Sequence, residues 1–120
     1  MAKMLKSGDI VLLMGELGAG KTVLVRGLAK GLGIPGQRVR SPTYLVAIMY
    51  PGDVPLLHVD LYRKEQPEQD LVDEILSFNG VVAVEWGERL KPLLPAGAAI
   101  EIELSGHDSK RSIRVQGTAD

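Results

Sequence analysis

Cysteine is absent from this 120-residue chain, which excludes disulfides, thiol catalysis and cysteine-based zinc sites. Histidine is scarce: His58 and His107 are the only two. Neither has a second ligand at metal-site spacing, so both read as hydrogen-bonding residues. There is no surplus of charge, with a formal net charge of −1. That removes any general pull toward nucleic acid, DNA included, so an RNA partner would have to be met through a local patch or another protein. No apolar run approaches membrane-spanning length, and Met1 to Lys6 is too short for a signal peptide. A cytoplasmic location is the resulting expectation. Internal repeats and low-complexity segments are also missing.

What is present is ordinary in bulk, 45% apolar and 24% charged, as expected of a globular protein. The length fits one domain over residues 1–120. One stretch is not ordinary. Gly15-Glu16-Leu17-Gly18-Ala19-Gly20-Lys21-Thr22 fills every fixed position of the phosphate-binding loop, Gly, four free residues, then Gly-Lys-Ser/Thr. Ile10 to Met14 before it is a short apolar run suited to a buried parallel strand. From Thr22 through Val23 to Lys30 the chain reads as a helix, with Val25, Leu28, Ala29 and Leu32 on one face. Gly15, Gly18 and Gly20 let the backbone approach a ligand with no side chain in the way. Successive N–H groups, helped by the positive end of the helix, then face phosphate oxygens. Lys21 reaches the β- and γ-phosphates, and the Thr22 hydroxyl ligates Mg²⁺. A glycine-rich turn that binds nothing would not need the lysine and the threonine together.

The rest reads as an α/β chain around a mixed sheet. The helix stops near Gly31-Leu32-Gly33, and Pro35-Gly36 confirms the break. A polar loop, Gln37 to Thr43, leads to Tyr44–Tyr50, a run of β-formers that ends at Pro51-Gly52-Asp53. Leu56–Tyr62 is the next strand, and so short a connection makes the pair antiparallel. Pro67 to Phe78 reads as a helix with Leu71, Ile75 and Phe78 on one face. Val81-Val82-Ala83-Val84 is a continuous apolar run, the mark of a central strand. Pro92 and Pro95 break the segment after it. Ala98–Leu104 and Ser112–Val115 form a closing hairpin.

Two carboxylates compete for the chemistry. Glu85 ends the apolar strand, at the sheet edge that faces nucleotide in phosphate-loop folds, where it can hold Mg²⁺ or orient the attacking water. Asp60 lies in His58-Val59-Asp60-Leu61-Tyr62-Arg63, whose alternation puts His58, Asp60 and Tyr62 on one face. Arg63 is placed to stabilise phosphate charge, or is a surface arginine. Thr43 occupies the loop where such proteins put a threonine that senses γ-phosphate and Mg²⁺. Trp86 reads as half-buried beside the site, or as core packing.

Together, GELGAGKT, SPTY, HVDLYR and VEWGERL, in this order, resemble the TsaE family, also called YjeE, over about Gly8 to Gly117. These are bacterial phosphate-loop ATPases that assist synthesis of threonylcarbamoyladenosine in tRNA. The resemblance implies a phosphate-loop NTPase-like three-layer sandwich with a mixed parallel and antiparallel central sheet. It implies that Gly18 to Thr22 hold ATP phosphates with Val23 also at the nucleotide, Thr22 and Glu85 bind Mg²⁺, Thr43 acts as a switch-like threonine, and Asp60 is needed for hydrolysis. Arg111 looks like the family's late arginine, which approaches the nucleotide. The implied partners are TsaB and TsaD, with TsaD performing the transfer and tRNA met only indirectly. Relatives usually carry a longer segment before the first strand, whereas eight residues precede Asp9 here. They also often show phenylalanine at the position of Tyr44.

Two other classes share the phosphate loop. A small-molecule kinase would use Asp60 as base toward a substrate hydroxyl, but usually closes an arginine-bearing lid, for which no insert is long enough. A GTP-dependent switch would need Asn-Lys-x-Asp and Asp-x-x-Gly stretches that do not occur.

Overall fold

A run of five apolar residues with no charge is what a strand buried on both faces requires, and Ile10–Met14 forms that strand, β1. The computed structural model describes residues 5–14, 18–35, 47–62, 66–95, 97–107 and 110–116. The chain continues through α1 (Gly18–Gly31), β2 (Ala47–Tyr50), β3 (Leu56–Asp60), α2 (Gln69–Ser77), β4 (Val81–Glu85), β5 (Ile100–His107) and β6 (Lys110–Gln116). Two short 3₁₀ turns, Gly87–Arg89 and Lys91–Leu93, follow β4.

The six strands make one sheet in the order β2-β3-β4-β1-β5-β6. β3, β4, β1 and β5 run parallel. β2 and β6 pair antiparallel at the two edges, so the mixed sheet and both hairpin-type pairings follow the sequence reading. β4 is central, as its apolar run implies.

Each face of the sheet carries one helix, which gives the three layers. On one face, Val25, Leu28 and Ala29 of α1 pack over Val11, Leu13, Leu56, Ala83 and Ile102. On the other, Val72 and Ile75 of α2 join Leu12, Leu57, Val59, Val82 and Val84. At nine residues, α2 is below the roughly 12–15 that a helix needs to persist alone in water, so these contacts hold it. The end of α1 is set by Gly33, whose φ of +82° suits glycine. There the Ile34 N–H bonds the Ala29 carbonyl at 2.8 Å and the Gly33 N–H bonds Lys30, the paired bonds of a Schellman stop. Ile34 then buries itself in the α1-side core.

Several boundaries differ from the sequence reading. α1 begins at Gly18, not Thr22, so Gly18 and Gly20 of the phosphate loop lie in its first turn. α2 begins at Gln69, with Pro67 just outside and Glu68 at the cap, and Phe78 leaves it in an extended conformation. β3 ends at Asp60. The reason is visible beyond it: the carbonyls of Leu61 and Tyr62 are taken by the Arg89 side chain instead of by a strand. Tyr44 to Val46, expected in β2, lie outside the described residues.

Candidate functional site

Three neighbouring parallel strands end at the same edge of the sheet, and the candidate residues sit on those ends. Leu13 of β1 is in register with Glu85 of β4, and Asp60 of β3 is in register with Glu85 from the other side. The next element in the chain after β1 is α1, whose first turn holds Gly18, Ala19, Gly20 and Lys21. At the start of a helix the N–H groups have no carbonyl four residues back to bond. Those of Gly18, Ala19 and Gly20 are therefore available to an anion at the positive end of α1. The fold brings these donors, Glu85 and Asp60 to one edge.

Glu85 is buried, only 3% exposed, and His58 is fully buried at 0%. Among the described residues these two are the buried polar or charged side chains. They meet: His58 Nε2 lies 2.5 Å from Glu85 Oε2. His58 Nδ1 is buried with no hydrogen-bond partner. Asp60 is half-buried, and its Oδ1 accepts the Tyr62 backbone N–H at 2.9 Å, a turn in which an aspartate binds its own backbone two residues on.

The backbone turns sharply after Glu85. Trp86 adopts φ 61° and ψ 43°, the left-handed region that non-glycine residues rarely occupy. Gly87 then passes so close to β1 that a Cβ there would stand 2.6 Å from Leu12 Cβ and 2.9 Å from Leu12 Cα. Arg89 ties this turn to the end of β3. Its Nη1 donates to the carbonyls of Leu61 at 2.6 Å and Tyr62 at 2.5 Å. Its guanidinium also lies 5.0 Å from the centroid of the Trp86 ring, within cation–π range. Trp86, half-buried, meets Tyr62 with ring centroids 5.2 Å apart.

The remaining sequence candidates are placed as follows. Val23 is exposed on α1. Lys21 and Thr22 are in the first turns of α1; their side chains, with Gly15, Thr43 and Arg63, lie outside the described residues. Arg111 is on β6, in register with Gly106 of β5. Glu103 of β5 pairs with Met14, so Gly106 and Arg111 lie beyond the end of β1, at the edge that carries the site. β6 is two strand spacings from β1, about 10 Å.

The sequence reads His58 as a hydrogen-bonding residue, and it is one: it is internal and bonded to Glu85, a partner that sequence reasoning misses, while Tyr62 is 60% exposed. Arg89 carried no local signal, because its partners are 27 and 28 residues away.

The donor set suits a nucleotide phosphate with a divalent cation: helix N-terminal N–H groups for the anion, and a carboxylate held at the adjacent strand end for the metal. Among the described residues no group of three or more His, Asp or Glu is placed to hold a metal ion. Among the same residues, no helix is long and apolar enough to cross a membrane.

Residues 1–113 match the family model described as threonylcarbamoyl adenosine biosynthesis protein TsaE. The chain is 41% identical to the tRNA threonylcarbamoyladenosine biosynthesis protein TsaE of Streptomyces coelicolor, over 95% of this chain and 81% of that one. It is 48% identical to the protein of the same description from Synechocystis, over 80% of this chain and 64% of that one. Among solved structures it resembles the crystal structure of Bacillus subtilis YdiB, with a TM-score of 0.72 and 34% identity, over 93% of this chain and 70% of that one.

Proposed function

The chain belongs to the TsaE family of tRNA threonylcarbamoyladenosine biosynthesis, and from that premise we propose that it is a single-domain, Mg²⁺-dependent ATPase that supports the enzymes of this modification. Its architecture is the phosphate-loop NTPase-like fold. The observation that carries the reading is the meeting of three strand ends at one edge: the end of β1, Glu85 of β4 and Asp60 of β3.

In this reading Gly18, Ala19 and Gly20 bind phosphate oxygens through the backbone, and Lys21 neutralises the β- and γ-phosphates. Thr22 and Glu85 hold Mg²⁺, which when bound neutralises charge on the transferring phosphoryl group. A water placed by Glu85 or Asp60 attacks the γ-phosphate in line with the departing ADP oxygen. Thr43 contacts the γ-phosphate side of the site, and Arg111 approaches the nucleotide from β6. Because β6 is an edge strand two spacings away, a partner surface completes the site, so turnover by the chain alone is slow. We assign that partner role to proteins of the TsaB and TsaD type. A net charge of −1 gives the chain no broad attraction to tRNA, so tRNA is reached through them, in the cytoplasm.

Lys21→Ala and Glu85→Ala test the assignment. Lys21→Ala abolishes productive ATP binding. Glu85→Ala keeps binding and loses hydrolysis. Normal hydrolysis by Glu85→Ala removes Glu85 from the metal and water site.

A further inference from the structure

The catalytic edge contains a conflict that its own residues resolve. Asp60 and Glu85 are directly opposite in the β3–β4 ladder, where like charges repel. Each carboxylate has been given a separate donor. Asp60 Oδ1 takes the Tyr62 N–H. Glu85 Oε2 takes the imidazole of His58, which lies opposite Ala83 and so reaches diagonally along β4 to Glu85.

We propose that His58 is a positioning residue for Glu85: its Nε2–H fixes the carboxylate by Oε2, so that Oε1 is the oxygen that would serve the metal and water. The inference rests on the reading of Glu85 given above. Three observations support it. The contact is short, 2.5 Å, and sits in a fully buried setting, where a hydrogen bond is strong and a wrongly turned carboxylate has no water to bond instead. A carboxylate that holds a cation can only accept, so Nε2 carries the hydrogen. Nδ1 has no partner, so only Glu85 fixes the tautomer, where a metal site's second nitrogen would usually be satisfied too. A histidine kept for packing alone would be better replaced by an apolar side chain, which leaves no nitrogen unpaired. The ring is therefore retained for the one bond it makes. It acts through Glu85, by raising the order of the carboxylate.

The test uses the full chain with His58→Leu, His58→Gln, His58→Asn and Glu85→Ala, each first checked for a cooperative thermal melt. Gln carries an amide donor to the place of Nε2; Asn, equally polar, stops short of Oε2. Two quantities are read: Mn²⁺ affinity by electron paramagnetic resonance, with a non-hydrolysable ATP analogue bound, and kcat and KM for ATP. Loss of a partner that orients a metal ligand typically costs 10–100-fold. His58→Leu is expected to weaken Mn²⁺ about 10-fold and lower kcat about 10-fold, leaving KM nearly unchanged, and His58→Gln to recover most of both. If His58→Leu does not fold, the comparison of Gln with Asn decides: a gap between them supports the proposal, equality overturns it. Folded His58→Leu with parental Mn²⁺ affinity and kcat also overturns it. In that case a defective Glu85→Ala leaves the site reading standing, whereas an unaffected Glu85→Ala removes that reading instead.

Discussion

Arg89→Ala removes a side chain that ties the end of β3 to the turn after β4. Its guanidinium bonds two consecutive carbonyls, Leu61 at 2.6 Å and Tyr62 at 2.5 Å, and lies against Trp86. A hydrogen bond from a charged donor contributes about 1.5–3 kcal/mol when well sheltered. Only the Leu61 bond is partly buried; the Tyr62 bond is exposed, so the first is taken at about 1.5 kcal/mol and the second at about 0.5. An exposed cation–π contact adds about 0.5 kcal/mol. The sum is roughly 2.5 kcal/mol, and at about 4 °C per kcal/mol for a domain of this size the midpoint falls by about 10 °C. Leu61 is itself fully buried, so a loosened β3 end also disturbs the α2-side core. The assay is urea unfolding for the free energy and a thermal melt for the midpoint, both followed by the fluorescence of Trp86, the sole tryptophan, with circular dichroism as a second probe. Arg89→Lys, which keeps the charge but not the fork, is expected to lose about half as much. A loss below about 0.5 kcal/mol for Arg89→Ala would show that the bridge is incidental to stability.

Gly87→Ala forces a methyl against Leu12 Cβ and Cα, at 2.6 and 2.9 Å; β1 is central and cannot yield, so thermal melts should show a loss of about 1–3 kcal/mol. Gly33→Ala has open space around it but keeps φ +82°, so a loss of about 1 kcal/mol is expected from backbone strain alone. Gly27→Ala is its control: Gly27 lies inside α1 with open space for a Cβ, and the substitution should stabilise by about 0.5–1 kcal/mol.

Much of the fold was legible because apolar runs and glycine stops are local signals. Ile10 to Met14 and Val81 to Val84 declared buried strands by having no polar residue to turn toward water. The Pro51-Gly52-Asp53 turn fixed β2 and β3 as antiparallel, and Gly33 marked the end of α1 through the conformation it alone accepts cheaply. The phosphate loop announced its chemistry by residue type. What depended on register was hidden. Nothing in the sequence says that β4 enters between β3 and β1, which is what brings Asp60 opposite Glu85. The His58–Glu85 pair follows only from that insertion. Alternation puts His58, Asp60 and Tyr62 on one face; His58 and Asp60 share it within β3, but Tyr62 lies past the strand end and meets Trp86 on the α2 side, and alternation cannot separate a buried polar residue from an exposed one. The end of β3 is hidden for a similar reason, since Arg89 competes from 27 and 28 residues away for the carbonyls that would extend the strand.

The most direct test of the central claim is steady-state ATP hydrolysis by the 120-residue chain, alone and with purified TsaB- and TsaD-type proteins, with GTP in parallel and bound nucleotide measured in the same samples. The account predicts ATP binding, slow hydrolysis by the chain alone, a clear rise when the partners are added, and a preference for ATP over GTP. Failure to bind ATP under any of these conditions would contradict it.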